Sequence, residues 1–218
     1  MLAWFVIHTV VWIGLVLIVP GDDSTDYVDV GVLGTPWVRQ FIIPLLAVLV
    51  LQVLVISRLG WWRQVMRDDE RTTKQWLWVF PALVIGVFGI AIMQSSLASG
   101  TGATAYLVGC AVTMLLVGVT EEVTFRGILL VGGRKVFPKE STAVLFTSVL
   151  FGLFHVPNVF IGSTLSSSIK QAVLTAVIGT AFYCLRRLTT SIIPCIVLHA
   201  AYDFALIQGN WDKLLSAL

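Results

Sequence analysis

The sequence predicts an all-α membrane protein, a bundle of about seven transmembrane helices that forms a single integral membrane domain over residues 1–218. Three observations predict this class. Of the 218 residues, 57% are hydrophobic and 12% are charged, whereas a soluble domain carries about 25% charged residues. The mean hydropathy is +0.93. The apolar residues also gather in segments of about 20 residues, the length that a helix needs to cross a bilayer.

Seven apolar segments are predicted to span the membrane, and short connections separate them. They cover residues 2–19, 36–57, 76–97, 104–132, 141–161, 169–186 and 190–208. The first segment has no basic N-terminal region and no cleavage site, so we interpret it as a retained span and not as a signal peptide. The fourth is too long for a simple span. We therefore expect it to tilt, or to break near Gly127 or Gly132-Gly133.

The charges in the connecting loops predict the orientation of the chain. Loops after the second, fourth and sixth segments are basic, and loops after the first, third and fifth are acidic or nearly uncharged. The first loop carries Asp22, Asp23, Asp26 and Asp29, and the basic residues of the later loops are Arg58, Arg63, Arg67, Arg71 and Lys74, then Arg134, Lys135 and Lys139, then Lys170, then Arg186 and Arg187. By the positive-inside rule the N-terminus is cytoplasmic. The unbroken alternation also supports the count of seven spans.

Six ionisable residues lie deep in the spans, where an uncompensated charge costs a few kcal/mol or more. They form three clusters, which are Glu121, Glu122 and Arg126, then His155, then His199 and Asp203. Each cluster lies about 12 to 16 residues from the basic end of its segment, or about 18–24 Å at the helical rise. Three helices thus place polar groups at one depth, which indicates a common site. We interpret His8 as a satisfied packing residue and Arg39 as a snorkelling residue at a helix end.

The spacing inside the clusters predicts which side chains can pair. Glu122 and Arg126 are four residues apart and share a helix face, whereas Glu121 points about 100° away from Glu122. The residue types alone leave several functions open: a hydrolytic site, a structural ion-pair network, a proton relay or an ion path. One glutamate and two histidines can also bind zinc. However, the chain has no HExxH pair, and the candidate ligands are spread over three helices.

The three clusters can also be read as motifs. Residues 121–126 match EExxxR, residues 151–155 match FxxxH and residues 199–203 match HxxxD. In this order, each within a span, they resemble the CPBP family, the CAAX protease and bacteriocin-processing family, also called the ABI family. Its members are related to the type II CAAX prenyl endopeptidases. The motif-bearing core runs from about residue 104 to residue 208, close to half of the chain.

The resemblance implies a glutamate-dependent, metal-independent intramembrane endopeptidase that uses no organic cofactor. In the family, the first glutamate and the histidine of FxxxH activate the attacking water, and these roles fall on Glu121 and His155. Glu122 and Arg126 support the site, and His199 is assigned to stabilising the oxyanion. The chemistry is reasonable in itself, because peptide hydrolysis needs a base for water and a donor aimed at the carbonyl oxygen. A hydrated cavity between the fourth, fifth and seventh spans is then required.

Asp203 departs from the strictest form of the pattern. The prenyl endopeptidases have Asn at this position, although many bacterial members resemble this chain in having Asp. An ionised Asp cannot donate a hydrogen bond and would repel a developing oxyanion. Asp203 is therefore either protonated or an acceptor that orients His199, and we favour the orienting role.

These observations predict an enzyme that cleaves a peptide or protein segment within the lipid bilayer of a bacterial or archaeal cell, with no nucleic acid as partner. The alternative is a non-catalytic family member that acts as an immunity factor, a scaffold or a subunit beside another membrane protein. The departure at Asp203 leaves room for this alternative. A proton or ion conductor is disfavoured, because no chain of polar residues runs from one face of the membrane to the other.

Overall fold

The apolar segments form helices in the structure, a computed structural model that describes residues 1–18, 41–69, 71, 72, 74–98 and 104–208. The helices are α1 (Leu2–Ile18), α2 (Ile43–Leu59), α3 (Trp62–Met66), α4 (Val79–Ala98), α5 (Thr104–Glu122), α6 (Leu130–Val136), α7 (Glu140–Leu153), α8 (Leu165–Thr189) and α9 (Ile193–Gln208). Two short 3-10 segments, Gln75–Trp78 and Val156–Ile161, and one π segment, Val123–Leu129, complete the described elements. The described residues form no β-strand, so the predicted all-α class is confirmed.

Three helical stretches are long and apolar enough to cross a membrane. They are Leu107–Val136, Glu140–Ile161 and Leu165–Thr189. Four shorter apolar helices are Leu2–Ile18, Ile43–Leu59, Gln75–Val87 and Ile193–Ile207. Each of the seven predicted segments thus overlaps an apolar helix, but the count of seven spans stays a prediction. The predicted acidic loop at Asp22, Asp23, Asp26 and Asp29, and the predicted snorkelling residue Arg39, lie outside the described residues.

The long fourth segment widens near its glycines and does not break there. α5 passes directly into the π segment, which contains Gly127, and the π segment passes directly into α6. A π turn accommodates an extra residue by bonding i to i+5, so the helix stays continuous. The glycines permit close packing. A Cβ added at Gly127 would lie 2.9 Å from the Val65 side chain, and one at Gly132 would lie 2.7 Å from the Met1 side chain.

Two helices that carry clusters, α5 and α9, approach each other at a glycine, and α7 approaches α8 at another glycine. A Cβ added at Gly118 of α5 would lie 2.9 Å from the carbonyl oxygen of Ile196 in α9. A Cβ added at Gly152 of α7 would overlap the carbonyl oxygen of Ala172 in α8. Small residues allow helix backbones to pack closely in lipid. The first contact brings the clusters on α5 and α9 together, and the second packs α7, which leads to His155, against α8.

The basic loops meet at one end of the bundle around a single carboxylate. Asp68, whose side chain is 1% exposed, forms ion pairs with Arg134 at 2.8 Å, Arg186 at 3.0 Å and Arg187 at 3.2 Å. Burial raises the pKa of Asp68, but the hydrogen bond from Arg134 and the three positive charges outweigh burial and lower it below its ordinary value. Because these arginines follow the fourth and sixth segments and Asp68 follows the second, the three basic loops share one side. We call this side the basic end.

Candidate active site

A cavity of about 120 Å³ lies where α1, α5, α7, α8 and α9 meet. Its wall includes four of the six predicted site residues, namely Glu121, His155, His199 and Asp203. The other two, Glu122 and Arg126, are buried beside it. The rest of the wall is largely aromatic and aliphatic, with Phe151 and Phe182 among its members. An apolar pocket with a few convergent polar groups is typical of a small-molecule or peptide site.

Glu121 faces both histidines across this cavity. Its Oε2 atom lies 3.9 Å from His155 Nε2 and 3.7 Å from His199 Nε2. Both distances are longer than a direct hydrogen bond. The same Oε2 atom is buried and has no hydrogen-bond partner among the described residues. Since buried polar atoms normally bond to protein or to ordered water, this geometry suits a water molecule held between the carboxylate and the imidazoles.

His155 lies just after the end of α7, in the turn that leads into the 3-10 segment Val156–Ile161. Its Nδ1 atom lies 2.9 Å from the carbonyl oxygen of Phe151. A carbonyl oxygen only accepts, so Nδ1 of the ring must donate, and Nε2 of the neutral ring is then an acceptor. The local backbone therefore presents an acceptor nitrogen to the cavity, on the side of Glu121.

Glu122 forms the ion pair predicted from its spacing. Its Oε1 atom accepts from Arg126 Nη1 at 2.8 Å and lies 2.8 Å from His199 Nδ1. The Glu122 side chain is 0% exposed. The Arg126 guanidinium also lies over the Phe151 ring, 4.1 Å from its centroid. One carboxylate thus compensates a buried cation and orients a histidine, while its neighbour Glu121 is free to face the cavity.

His199 has a carboxylate near each ring nitrogen. Glu122 lies at Nδ1, and Asp203 Oδ2 lies 3.3 Å from Nε2 on the cavity side. The ring is stacked on Phe182 with an interplanar angle of 13°. The orienting contact expected from Asp203 is therefore shared, and Glu122 makes the shorter contact. With an acceptor at each nitrogen, the imidazolium form of the ring, in which both nitrogens carry a proton, can donate in both directions.

Two buried polar residues that contact the segment carrying the candidate site were missed by the sequence interpretation. Gln52 of α2 is fully buried, and its Nε2 donates to the Thr120 carbonyl oxygen at 2.5 Å and to Thr124 Oγ1 at 2.9 Å. Arg186 of α8 is also fully buried and donates to the Arg126 carbonyl oxygen. A lone glutamine inside an apolar span was an available signal for Gln52. Arg186 gave no such signal, because a cation at the end of a span is ordinary.

His8 is buried as predicted, but its polar atoms are not all satisfied. The ring packs against Phe125 and Phe154, and its Nδ1 atom has no hydrogen-bond partner among the described residues. The interpretation as a satisfied packing residue is therefore wrong in this respect. A second, small cavity of about 10 Å³ is lined by both His8 and Glu121. All three histidines of the chain thus lie around Glu121.

Within the described part of the chain, no group of three or more His, Cys, Asp or Glu side chains is arranged to hold a metal ion. The three cysteines, Cys110, Cys184 and Cys195, are free and buried. The zinc alternative that the residue types left open thus has no ligand set among these residues.

Comparison with known protein families gave a match over most of the helical core. A family model described as type II CAAX prenyl endopeptidase Rce1-like matches residues 76–205. This range covers more than half of the chain and includes all three clusters. No curated protein and no solved structure matches the chain. α1 and α2 lie outside the matched range.

Proposed function

The chain belongs to the type II CAAX prenyl endopeptidase Rce1-like family, and from that premise we propose that it hydrolyses a peptide bond of a peptide or protein within the membrane. The observation that carries the proposal is the position of Glu121. Its Oε2 atom is buried, has no hydrogen-bond partner among the described residues and faces two imidazole Nε2 atoms in one cavity. A buried base beside a space for water is what general-base hydrolysis requires.

The attacking water is held by Glu121 and His155. Both Glu121 Oε2 and His155 Nε2 are acceptors, so the water donates one O–H group to each and directs a lone pair away from them. Glu121 takes the proton as the oxygen attacks the carbonyl carbon of the substrate. When the C–N bond breaks, the same proton passes to the leaving amine. The products are a new carboxylic acid, which releases its remaining proton to water, and a new amine, and no covalent enzyme intermediate is formed.

His199 stabilises the oxyanion that forms during the attack. In its imidazolium form, with a proton on each ring nitrogen, His199 donates from Nδ1 to Glu122 and from Nε2 into the cavity. A donor that is already fixed in place stabilises developing charge without further reorganisation. Asp203 lies 3.3 Å from the same nitrogen. It therefore holds the Nε2–H group before the substrate binds and yields it to the oxyanion, and this role needs no protonated Asp203.

Glu122 and Arg126 maintain this arrangement and do not touch the substrate. Both side chains are buried, and their ion pair is sandwiched between aromatic rings, with Arg126 4.1 Å from the centroid of Phe151 and 5.1 Å from that of Phe182. A buried pair of this kind is costly to break, because the remaining charge has no compensation. The pair therefore fixes the backbone that carries Glu121.

The basic end is proposed to face the cytoplasm, with the N-terminus on that side. Met1 packs beside Gly132 at this end, and the basic loops meet there around Asp68. Thiol labelling of a Lys139→Cys variant in sealed, right-side-out vesicles tests the orientation. Lys139 is exposed, so the proposal predicts labelling only after the vesicles are opened. The three native cysteines are buried, and the unsubstituted chain is the control.

The proposed activity is tested by comparing membrane peptides from cells that produce the wild-type protein or the Glu121→Gln variant. A peptide cut only in the presence of the wild-type protein is the expected result. Glu140→Gln is the matched control, because it makes the same chemical change at the basic end, away from the cavity. Equal cleavage by Glu121→Gln and wild type would remove Glu121 as the base, and the absence of any peptide cut by the wild-type protein would remove the enzyme proposal. Loss of cleavage in both variants would remove the assignment of Glu121. A scaffold or immunity factor would show no cleavage and would keep its partner complex in both variants.

Independence from metal is a separate part of the proposal. Because general-base catalysis by Glu121 needs no Lewis acid, cleavage is expected to survive treatment of the purified protein with a zinc chelator. Loss of cleavage on chelation, with recovery on addition of zinc, would indicate that the attacking group is a metal-bound hydroxide and not a water activated by Glu121.

A further inference from the structure

We infer that Arg186 is a positioning residue that holds the π segment Val123–Leu129, and with it Arg126 and Glu122, in the geometry that hydrolysis needs. The inference rests on the proposed function for its catalytic part. Its structural part, that Arg186 holds the π segment, can be tested without any activity.

Arg186 uses its guanidinium to join three parts of the chain. Nη1 donates to the carbonyl oxygen of Arg126, and Nη2 donates to the carbonyl oxygen of Gln64 at 2.6 Å. Nε donates to Asp68 Oδ1 at 3.1 Å. The side chain is fully buried. A guanidinium is a planar fork of five donors, so it can bind three separate acceptors at once.

The π segment gives a physical reason for a donor from outside the helix at this place in the chain. Bonds in a π segment run from i to i+5, and bonds in the following α-helix run from i to i+4. Where the pattern returns from π to α, one carbonyl loses its donor within the helix. An unpaired carbonyl in an apolar interior costs free energy comparable to a lost hydrogen bond. The Arg126 carbonyl lies in this segment and accepts from Arg186, which therefore stabilises the widened turn.

A shift of this backbone would reach the cavity through a short series of contacts. The Arg126 side chain binds Glu122, and Glu122 binds His199 Nδ1, each at 2.8 Å. Glu121 is the next residue along the same helix. Movement of the Arg126 backbone therefore changes the directions of Glu121 and His199 without removing either group.

Asp68 forms an ion pair with Arg186 at 3.0 Å and so holds its guanidinium in place. Asp68 itself lies outside the range 76–205 that the family model matches. The loop that carries Asp68 is thus part of the apparatus that positions the site. Arg187 provides a natural comparison, because it binds the other carboxylate oxygen of Asp68 at 3.2 Å from a partly exposed position. Within the described residues, its guanidinium donates to Asp68 and makes no hydrogen bond with the π segment.

The matched variants are Arg186→Lys and Arg187→Lys, which both keep the positive charge. A lysine ammonium is a compact point charge and cannot span the three acceptors of Arg186. Two measurements on purified protein in lipid nanodiscs are compared. One is kcat and KM for a peptide that the wild-type protein cleaves, and the other is amide hydrogen exchange over residues 123–130. Glu121→Gln serves as the inactive reference.

The expected result separates the two arginines. Arg186→Lys lowers kcat about tenfold or more, the size of one lost hydrogen bond from a charged donor, while KM changes by less than about twofold. It also speeds exchange over residues 123–130. Arg187→Lys stays close to wild type in both measurements. Because unfolded protein would also lower the apparent kcat at unchanged KM, kcat is calculated per folded molecule, and faster exchange confined to residues 123–130 distinguishes an effect on positioning from a general loss of folded protein.

Equal effects of the two substitutions, or wild-type kcat and exchange in Arg186→Lys, would overturn the inference. If the wild-type protein cleaves no peptide, the proposed function fails, and the exchange comparison alone decides whether Arg186 holds the π segment. If Arg186→Lys does not insert and fold, Asp68→Asn takes its place, because it removes the carboxylate that holds Arg186. Faster exchange over residues 123–130 in Asp68→Asn then supports the inference, and unchanged exchange overturns it.

Discussion

The Nδ1 atom of His199 lies 2.8 Å from the Oε1 atom of Glu122, although the two residues are 77 positions apart in the chain. Through this contact the second glutamate of the first cluster fixes the histidine of the third. The same carboxylate oxygen also binds Arg126. The two adjacent glutamates therefore differ in kind, since Glu122 is paired on two sides and Glu121 faces the cavity.

This difference predicts that two Glu→Gln substitutions have different effects on stability. Glu122→Gln leaves Arg126 buried without its counter-ion, so we expect a loss of about 3–5 kcal/mol in the free energy of unfolding. Glu121→Gln removes a buried carboxylate that has no such pair, so the melting temperature should stay level or rise. Thermal melting of both variants in the same detergent measures the difference. Equal melting temperatures would contradict the assignment of distinct roles to the two glutamates.

Gln52 is predicted to support the site from α2. Its amide donates to Thr120 and Thr124, on either side of Glu121 and Glu122 in the chain. Gln52→Met keeps the approximate size and removes both hydrogen bonds, which should cost about 1–3 kcal/mol of stability and lower kcat. Gln75→Met is the control, because the Gln75 side chain is exposed. The interpretation fails if unfolding and kinetics respond alike to both substitutions.

The ion pairs of Asp68 predict a dependence of stability on acid pH. The pKa of Asp68 in the folded protein lies below its ordinary value of 3.8, because three arginines favour the charged form. Because the folded-state pKa is depressed, the charged Asp68 stabilises the fold at any pH above its ordinary pKa. This stabilisation is lost as the pH falls from the ordinary pKa through the lower folded-state pKa. Wild-type protein should therefore lose more stability on acidification than Asp68→Asn, as measured by melting temperature from neutral pH to about pH 3. Parallel pH profiles of the two proteins would contradict this role of Asp68.

Gly152 is predicted to set the distance between α7 and α8. A methyl group at this position would overlap the Ala172 carbonyl oxygen, so Gly152→Ala should separate the helices and displace His155, three residues further on. Overpacking of this kind costs about 1–3 kcal/mol. Gly14→Ala of α1 is the control, since a Cβ there meets nothing within 4 Å. Melting temperature and cleavage rate should fall for the first variant only, and a similar loss in Gly14→Ala would point to a general effect of Gly→Ala exchange.

The all-α class and the six polar residues of the site were accessible from the sequence for simple physical reasons. Charge inside an apolar span is expensive, so Glu121, Glu122 and Arg126 stood out against their surroundings. The four-residue spacing of Glu122 and Arg126 predicted their ion pair, which the structure contains. A shared depth in three spans predicted that His155 and His199 would approach Glu121, and their Nε2 atoms lie within 4 Å of it.

Contacts that depend on the widened helix were not accessible in the same way. Hydrophobic periodicity does not distinguish a π segment from an α-helix, so the sequence suggested a tilt or a break near Gly127. Because the π segment was not predicted, the sequence did not indicate that the Arg126 carbonyl accepts a hydrogen bond from another helix. Arg186 was therefore interpreted as an ordinary basic residue of a loop. Gln52 and Asp68 support the site from residues that are distant in the chain, and no local pattern connects them with residues 121–126.

The central claim is that Glu121 activates a water molecule for attack on a peptide bond, and cleavage in water labelled with ¹⁸O tests it most directly. A peptide that wild-type protein cleaves is incubated with equal amounts of wild-type and Glu121→Gln protein in nanodiscs, and the new C-terminus is analysed by mass spectrometry. The account predicts ¹⁸O in the new carboxylate with wild-type protein and no cleaved product with Glu121→Gln. Labelled product formed at the same rate by Glu121→Gln would contradict it.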